Sequence, residues 1–86
     1  MSTRVYTLLA DVRGGERHWT VVVEIDGGPP VRLVSLGPMS TAEALYHACD
    51  EIGLGTQPVD WTPGEDTAHA TRWTLAVDVP AHRRTH

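Results

Sequence analysis

Residues 18–26, HWTVVVEID, alternate between two faces without a break. Trp19, Val21, Val23 and Ile25 fall on one side, and His18, Thr20, Val22, Glu24 and Asp26 on the other. A period of two sustained over this length fits a half-buried strand and no helix. A strand cannot stand alone, because its backbone donors and acceptors need neighbours. The sequence on either side must therefore supply partners, and the chain is committed to a sheet.

The partners are legible. Residues 4–12, RVYTLLADV, are β-branched and aromatic-rich, and end at the glycines of the 13–17 turn, RGGER. Glycine supplies the positive φ that a tight hairpin turn needs. Both faces of this strand carry apolar residues (Val5 and Leu9; Tyr6, Leu8 and Val12), the pattern of a central strand. Asp26-Gly27-Gly28-Pro29-Pro30 is a second turn, and residues 31–36 a short third strand ended by Gly37-Pro38.

The pattern then changes. Ser40-Thr41-Ala42-Glu43 is a capping box that opens a helix running to about Ile52, with Ala42, Leu45, Ala48, Cys49 and Ile52 as the expected buried stripe. Gly53 is placed to end it. Residues 55–70, GTQPVDWTPGEDTAHA, read as a long loop, a length that often carries function. Residues 71–79 alternate again as a last strand, with Trp73, Leu75, Val77 and Val79 inward, and Pro80 stops it.

The expected fold class is α+β, in the order β-β-β-α-β. It forms a single domain over residues 1–80 with a polar tail at 81–86. A right-handed crossover through the helix would return the last strand parallel to the first, giving a mixed four-stranded sheet of order 3-2-1-4 with the helix on one face. The other face, carrying Val22, would be left partly bare, and a second copy or another protein would be its natural cover. At 86 residues such a domain has only a small core to draw on.

Composition narrows the chemistry. The net charge of −4, with all seven basic residues arginine and mostly scattered, disfavours nucleic acid and anionic membranes as partners. The absence of lysine looks like the coding bias of a GC-rich bacterial source. No apolar run is long enough to span a bilayer, and the opening residues do not have the form of a signal peptide. Cys49, the only cysteine, excludes an internal disulfide and fits a reducing, cytoplasmic setting.

Three carboxylates are the best candidates for catalysis. On the expected topology Asp11, Glu43 and Asp78 share one sheet edge, where they would hold a divalent cation for nuclease-like chemistry. Against this, Glu43 is already used in the capping box and Asp78 points away from the helix. The five histidines show no helical zinc spacing, there is no glycine-flanked serine, and neither glycine pair precedes a helix. No cofactor is implied.

The stretch from Tyr6 to Leu54 resembles the HicB-type antitoxin domains, a truncated ribonuclease H-like scaffold. The likeness rests on YTLLADV in the first strand, the early tryptophan of HWTVVVEID in the second, and LVSLGPMSTAEAL leading into the helix. The resemblance implies a protein-binding scaffold and carries over no functional residue.

Together these features point to a small non-enzymatic accessory or regulatory module that binds another protein or a second copy of itself. Its contacts would come from the bare sheet face and the Trp61 loop, through Trp61, Asp60, Val22, Tyr6 and Arg32, although a tryptophan in a proline-rich loop more often folds back as a lid on the core than stands out as an anchor. The alternatives are the carboxylate site and weak nucleic-acid binding through arginines.

Overall fold

A computed structural model describes residues 2–67 and 70–79. The expected tail, 81–86, lies outside the described residues. The elements are β1 (Ser2–Arg13), β2 (Glu16–Ile25), β3 (Val31–Pro38), α1 (Thr41–Ile52), a 3-10 turn at Pro58–Asp60, β4 (Thr62–Asp66) and β5 (Ala70–Val79).

β1 and β2 form a long antiparallel ladder from Arg4↔Ile25 to Arg13↔Glu16. Only Gly14 and Gly15 separate the two strands, at φ 57° and 81°. Positive φ at both central positions is the turn whose twist matches that of the flanking strands. β3 adds on the far side of β2, with register shifts that leave Leu33 and Leu36 without a direct cross-strand partner.

The sheet corrects two expectations. It has five strands rather than four, in the order β3-β2-β1-β5-β4, and every pairing is antiparallel. The crossover through α1 does return a strand running in the direction of β1, but that strand is β4, taken from within the expected loop. The chain then reverses, with the Thr67 amide donating to the Ala70 carbonyl at 2.8 Å. β5 inserts between β4 and β1, and so runs opposite to β1.

Helix α1 begins as its sequence dictates. The Ser40 hydroxyl accepts from the Glu43 amide at 3.3 Å, and the Glu43 carboxylate accepts from the Ser40 amide at 3.4 Å. Gly53 closes the helix by donating to the Cys49 carbonyl. The buried residues are Ala44, Leu45, Ala48 and Cys49, with Ile52 partly buried. Ala42 is exposed, so the stripe is rotated from the expected one: the helix rests on Ala44, whose small side chain permits close approach to the sheet.

The core lies between α1 and one sheet face. It contains Tyr6, Leu8 and Ala10 of β1, Trp19, Val21 and Val23 of β2, and Leu75 of β5, with Trp73 and Val77 packed against it. Trp19 also donates its indole N–H to the Met39 carbonyl at 2.8 Å, tying β2 to the segment that enters the helix. A twelve-residue helix is about 18 Å long, whereas a twelve-residue strand reaches about 40 Å. α1 therefore leaves one end of its own face uncovered, where Ile25 and Val31 are exposed.

Candidate functional site

The face of the sheet opposite α1 has no covering layer among the described residues. Its side chains follow from the register. Val5 lies between Glu24 and Ala76, Thr7 between Val22 and Thr74, and Leu9 between Thr20 and Arg72. Beyond Val22 comes Arg32 of β3. The centre of this face is thus a run of aliphatic and threonine side chains (Val5, Thr7, Leu9, Val22), all half-buried by their neighbours alone. Its rim is charged: Arg32 and Arg72 on one account, Glu24, Asp11 and Asp78 on the other. An apolar centre with a polar rim is the composition of a protein contact surface.

The expected contact residues separate into two groups. Val22 is on this open face, and Arg32 is its neighbour across the β2–β3 ladder. Tyr6 points the other way: it is buried beneath α1, and its hydroxyl accepts from the Arg4 guanidinium at 3.4 Å. Trp61 is likewise buried, donating its indole N–H to Cys49 Sγ at 3.2 Å. Burial takes both aromatic residues out of the contact surface. Each instead fixes a neighbouring segment to the core. Asp60 is exposed, and its carboxylate accepts from the Gln57 amide at 2.8 Å, closing the 3-10 turn.

The three carboxylates do not converge. Asp11 is aligned with Ala70 and Asp78 with Thr3, so the two acids sit at opposite ends of β1, about 27 Å apart at the usual rise per residue. The antiparallel placement of β5 is the reason. Both lie on the open face, while Glu43 is on the helix side and bound to Ser40 Oγ at 2.9 Å. Asp11 lies 3.9 Å from Arg13, and Asp78 accepts from Thr3 Oγ1. Among the described residues no group of three or more His, Cys, Asp or Glu side chains is placed to hold a metal ion.

A second feature lies at the C-terminal end of the helix. The end of α1 and the 55–58 segment enclose an open groove of about 500 Å³, lined by Tyr46, Cys49, Asp50, Gly53, Gly55, Thr56, Gln57 and Pro58. Three large side chains on or beside it are exposed: Tyr46, Leu54 and Val59. Leu54 adopts φ 56°, between Gly53 and Gly55 at φ 70° each. The sequence signal was the Gly-Leu-Gly triplet, which marks a left-handed stretch with a bulky residue inside it.

No helix is long and apolar enough to cross a membrane among the described residues. Comparison of the chain with protein-family models, with curated proteins and with solved structures gives no match.

Proposed function

We propose that this chain is a small non-enzymatic protein-binding module, an accessory or regulatory domain that works through the open face of its sheet. The observation that carries this reading is the group of Val5 and Leu9 on β1 and Val22 on β2, set around Thr7 in the β1–β2 register, with no layer over it among the described residues. A single-helix domain of this size would gain stability by completing the burial of these half-buried aliphatic side chains. Five strands span roughly 20–24 Å, and ten residues of strand about 33 Å, so the face offers about the 800 Å² per partner of a standard interface.

The rim favours a partner of mixed charge over a polyanion, because Arg32 and Arg72 are interspersed with Glu24, Asp11 and Asp78. The resemblance to HicB-type antitoxin scaffolds supports the same habit of protein binding. The single buried thiol of Cys49 fits a reducing, cytoplasmic setting.

The test is direct. The tagged chain is recovered from its native cells, its mass measured by light scattering, and co-purifying proteins quantified, with Val22→Glu in parallel. A stoichiometric complex or a homodimer that Val22→Glu dissolves is the expected result. A monomer with no stoichiometric partner, or a complex indifferent to Val22→Glu, sinks the reading.

A further inference from the structure

The groove at the end of α1 has three properties that no stability argument explains together. The first is its charge. The last turn of the helix holds no basic residue, and instead carries Asp50 and Glu51. Acidic side chains at a helix C-terminus sit against the negative end of the helix dipole, where cations belong. Asp50 lines the groove and has no ion-pair partner among the described residues. Among the described residues that line it, Asp50 is the one charged side chain, so the groove wall carries a negative charge beside the negative end of the helix dipole.

The second property is strain. Leu54 is held in the left-handed region that bulky side chains avoid, and it gains little burial there, at 54% exposed. Glycine or asparagine would serve the turn better. A strained residue left more than half exposed at home is explained by a contact made elsewhere. Val59, next to the groove-lining Pro58, is 85% exposed, and Tyr46, which lines the groove, is 70% exposed.

The third property is rigidity. The groove wall is fixed by Thr56 Oγ1 donating to the Gly53 carbonyl at 2.8 Å, by Asp60 closing the 3-10 turn, and by Trp61 locked onto Cys49 from beneath. A preformed wall lowers the ordering cost of binding.

We infer that this groove docks a short segment of a partner protein that carries an arginine or lysine next to large apolar side chains. The cation would meet Asp50 and the terminal carbonyls of α1, and the apolar groups would lie against Leu54, Val59 and the Tyr46 ring. Charge complementarity selects this occupant: an acidic or phosphorylated segment would meet repulsion from the same groups. The inference rests on the reading of the chain as a protein-binding module, but it uses a different surface, so the two fail separately.

The probe is a phage-displayed library of random twelve-residue peptides selected on the intact chain. Enriched peptides should combine arginine or lysine with apolar neighbours. Their affinity, read by fluorescence polarisation of the synthetic peptide, should fall at least tenfold in Asp50→Lys and in Val59→Ser. Asp50→Lys improves the helix terminus electrostatically, so its loss of binding cannot be ascribed to unfolding, and thermal melting confirms this. Val22→Glu, on the open sheet face, should leave peptide affinity within twofold. Absence of enrichment, enrichment of acidic or uncharged peptides, or binding insensitive to Asp50→Lys overturns the groove assignment. Peptides lost only in Val22→Glu do so as well, while sustaining the sheet face.

Discussion

The Trp61 indole N–H points at Cys49 Sγ, 3.2 Å away, joining the segment after the helix to the helix itself. Both residues are buried, and the intervening turns depend on this contact for their position. Trp61→Ala removes one of the largest side chains of a small core, and should cost about 3–5 kcal/mol, read from urea denaturation. Trp61→Phe keeps most of the packing and loses the N–H, at a cost on the order of 1 kcal/mol. Cys49 should resist a thiol reagent in the native chain and react much faster in Trp61→Ala. Equal labelling rates in the two proteins would show that Trp61 does not cover the thiol.

Val21 and Val22 are adjacent in sequence and opposite in fate. Val21 is fully buried under α1, whereas Val22 is on the uncovered face. Val21→Glu places a carboxylate in the core without a partner and should leave the chain unfolded at room temperature. Val22→Glu puts the same charge where water reaches it, and should change stability by less than about 1 kcal/mol. Circular dichroism distinguishes them. Comparable destabilisation by both would mean that the second face is covered.

Much of this arrangement was legible in the residues, and the parts that were not have identifiable causes. The alternation of residues 18–26 and the Ser40/Glu43 box each specify one local structure, and each is found. β4 escaped because four of the five residues of Thr62-Pro63-Gly64-Glu65-Asp66 disfavour strands; it is a strand by pairing with β5, at an edge where proline is tolerated. Once β4 is hidden, the direction of β5 is inverted, and with it the supposed meeting of Asp11 and Asp78. The helix stripe slipped from Ala42 to Ala44 because alanine at either position satisfies the apolar period. Of the contact residues, the place of Val22 followed from the alternation and the core-lid position of Trp61 was one of its two readings, while Tyr6 was decided by tertiary packing.

Thr71 is the one buried polar residue in the described set, and it links three strands. Its hydroxyl accepts from Arg17 Nε and donates to Asp66 Oδ1, both at 3.1 Å, while the Arg17–Asp66 ion pair itself is long, at 3.9 Å, and well exposed. The hydrogen bonds should matter more than the ion pair. Thr71→Val should cost about 1 kcal/mol and raise amide exchange in β4 more than in β2. Asp66→Asn, which keeps an acceptor for the hydroxyl, should cost less. If Asp66→Asn were the more damaging, the charge would be what secures β4.

The capping box gives a prediction that isolates the helix. Ser40→Ala removes the acceptor for the Glu43 amide and should destabilise the fold by about 1 kcal/mol, with Ser40→Asp close to neutral. Because α1 supplies one whole side of the core, the loss should appear in the global unfolding transition and not as local fraying. A non-coincident loss of helix signal before tryptophan fluorescence would contradict that coupling.

Leu54 offers the sharpest contrast between stability and binding. A left-handed backbone costs a residue with a bulky side chain roughly 1–2 kcal/mol, and asparagine less. Leu54 recovers little of this by burial. Leu54→Asn should therefore raise stability by up to about 1 kcal/mol, visible as a higher denaturation midpoint with an unchanged slope. The same change removes an exposed apolar side chain between the groove-lining Gly53 and Gly55, so affinity for a peptide docked as proposed should drop several-fold. Stability and binding would then move in opposite directions at one residue, which is the signature of a side chain retained for a contact outside its own fold. A Leu54→Asn protein that is less stable than the parent would instead show that Leu54 packs at home, and would remove strain from the case for the groove.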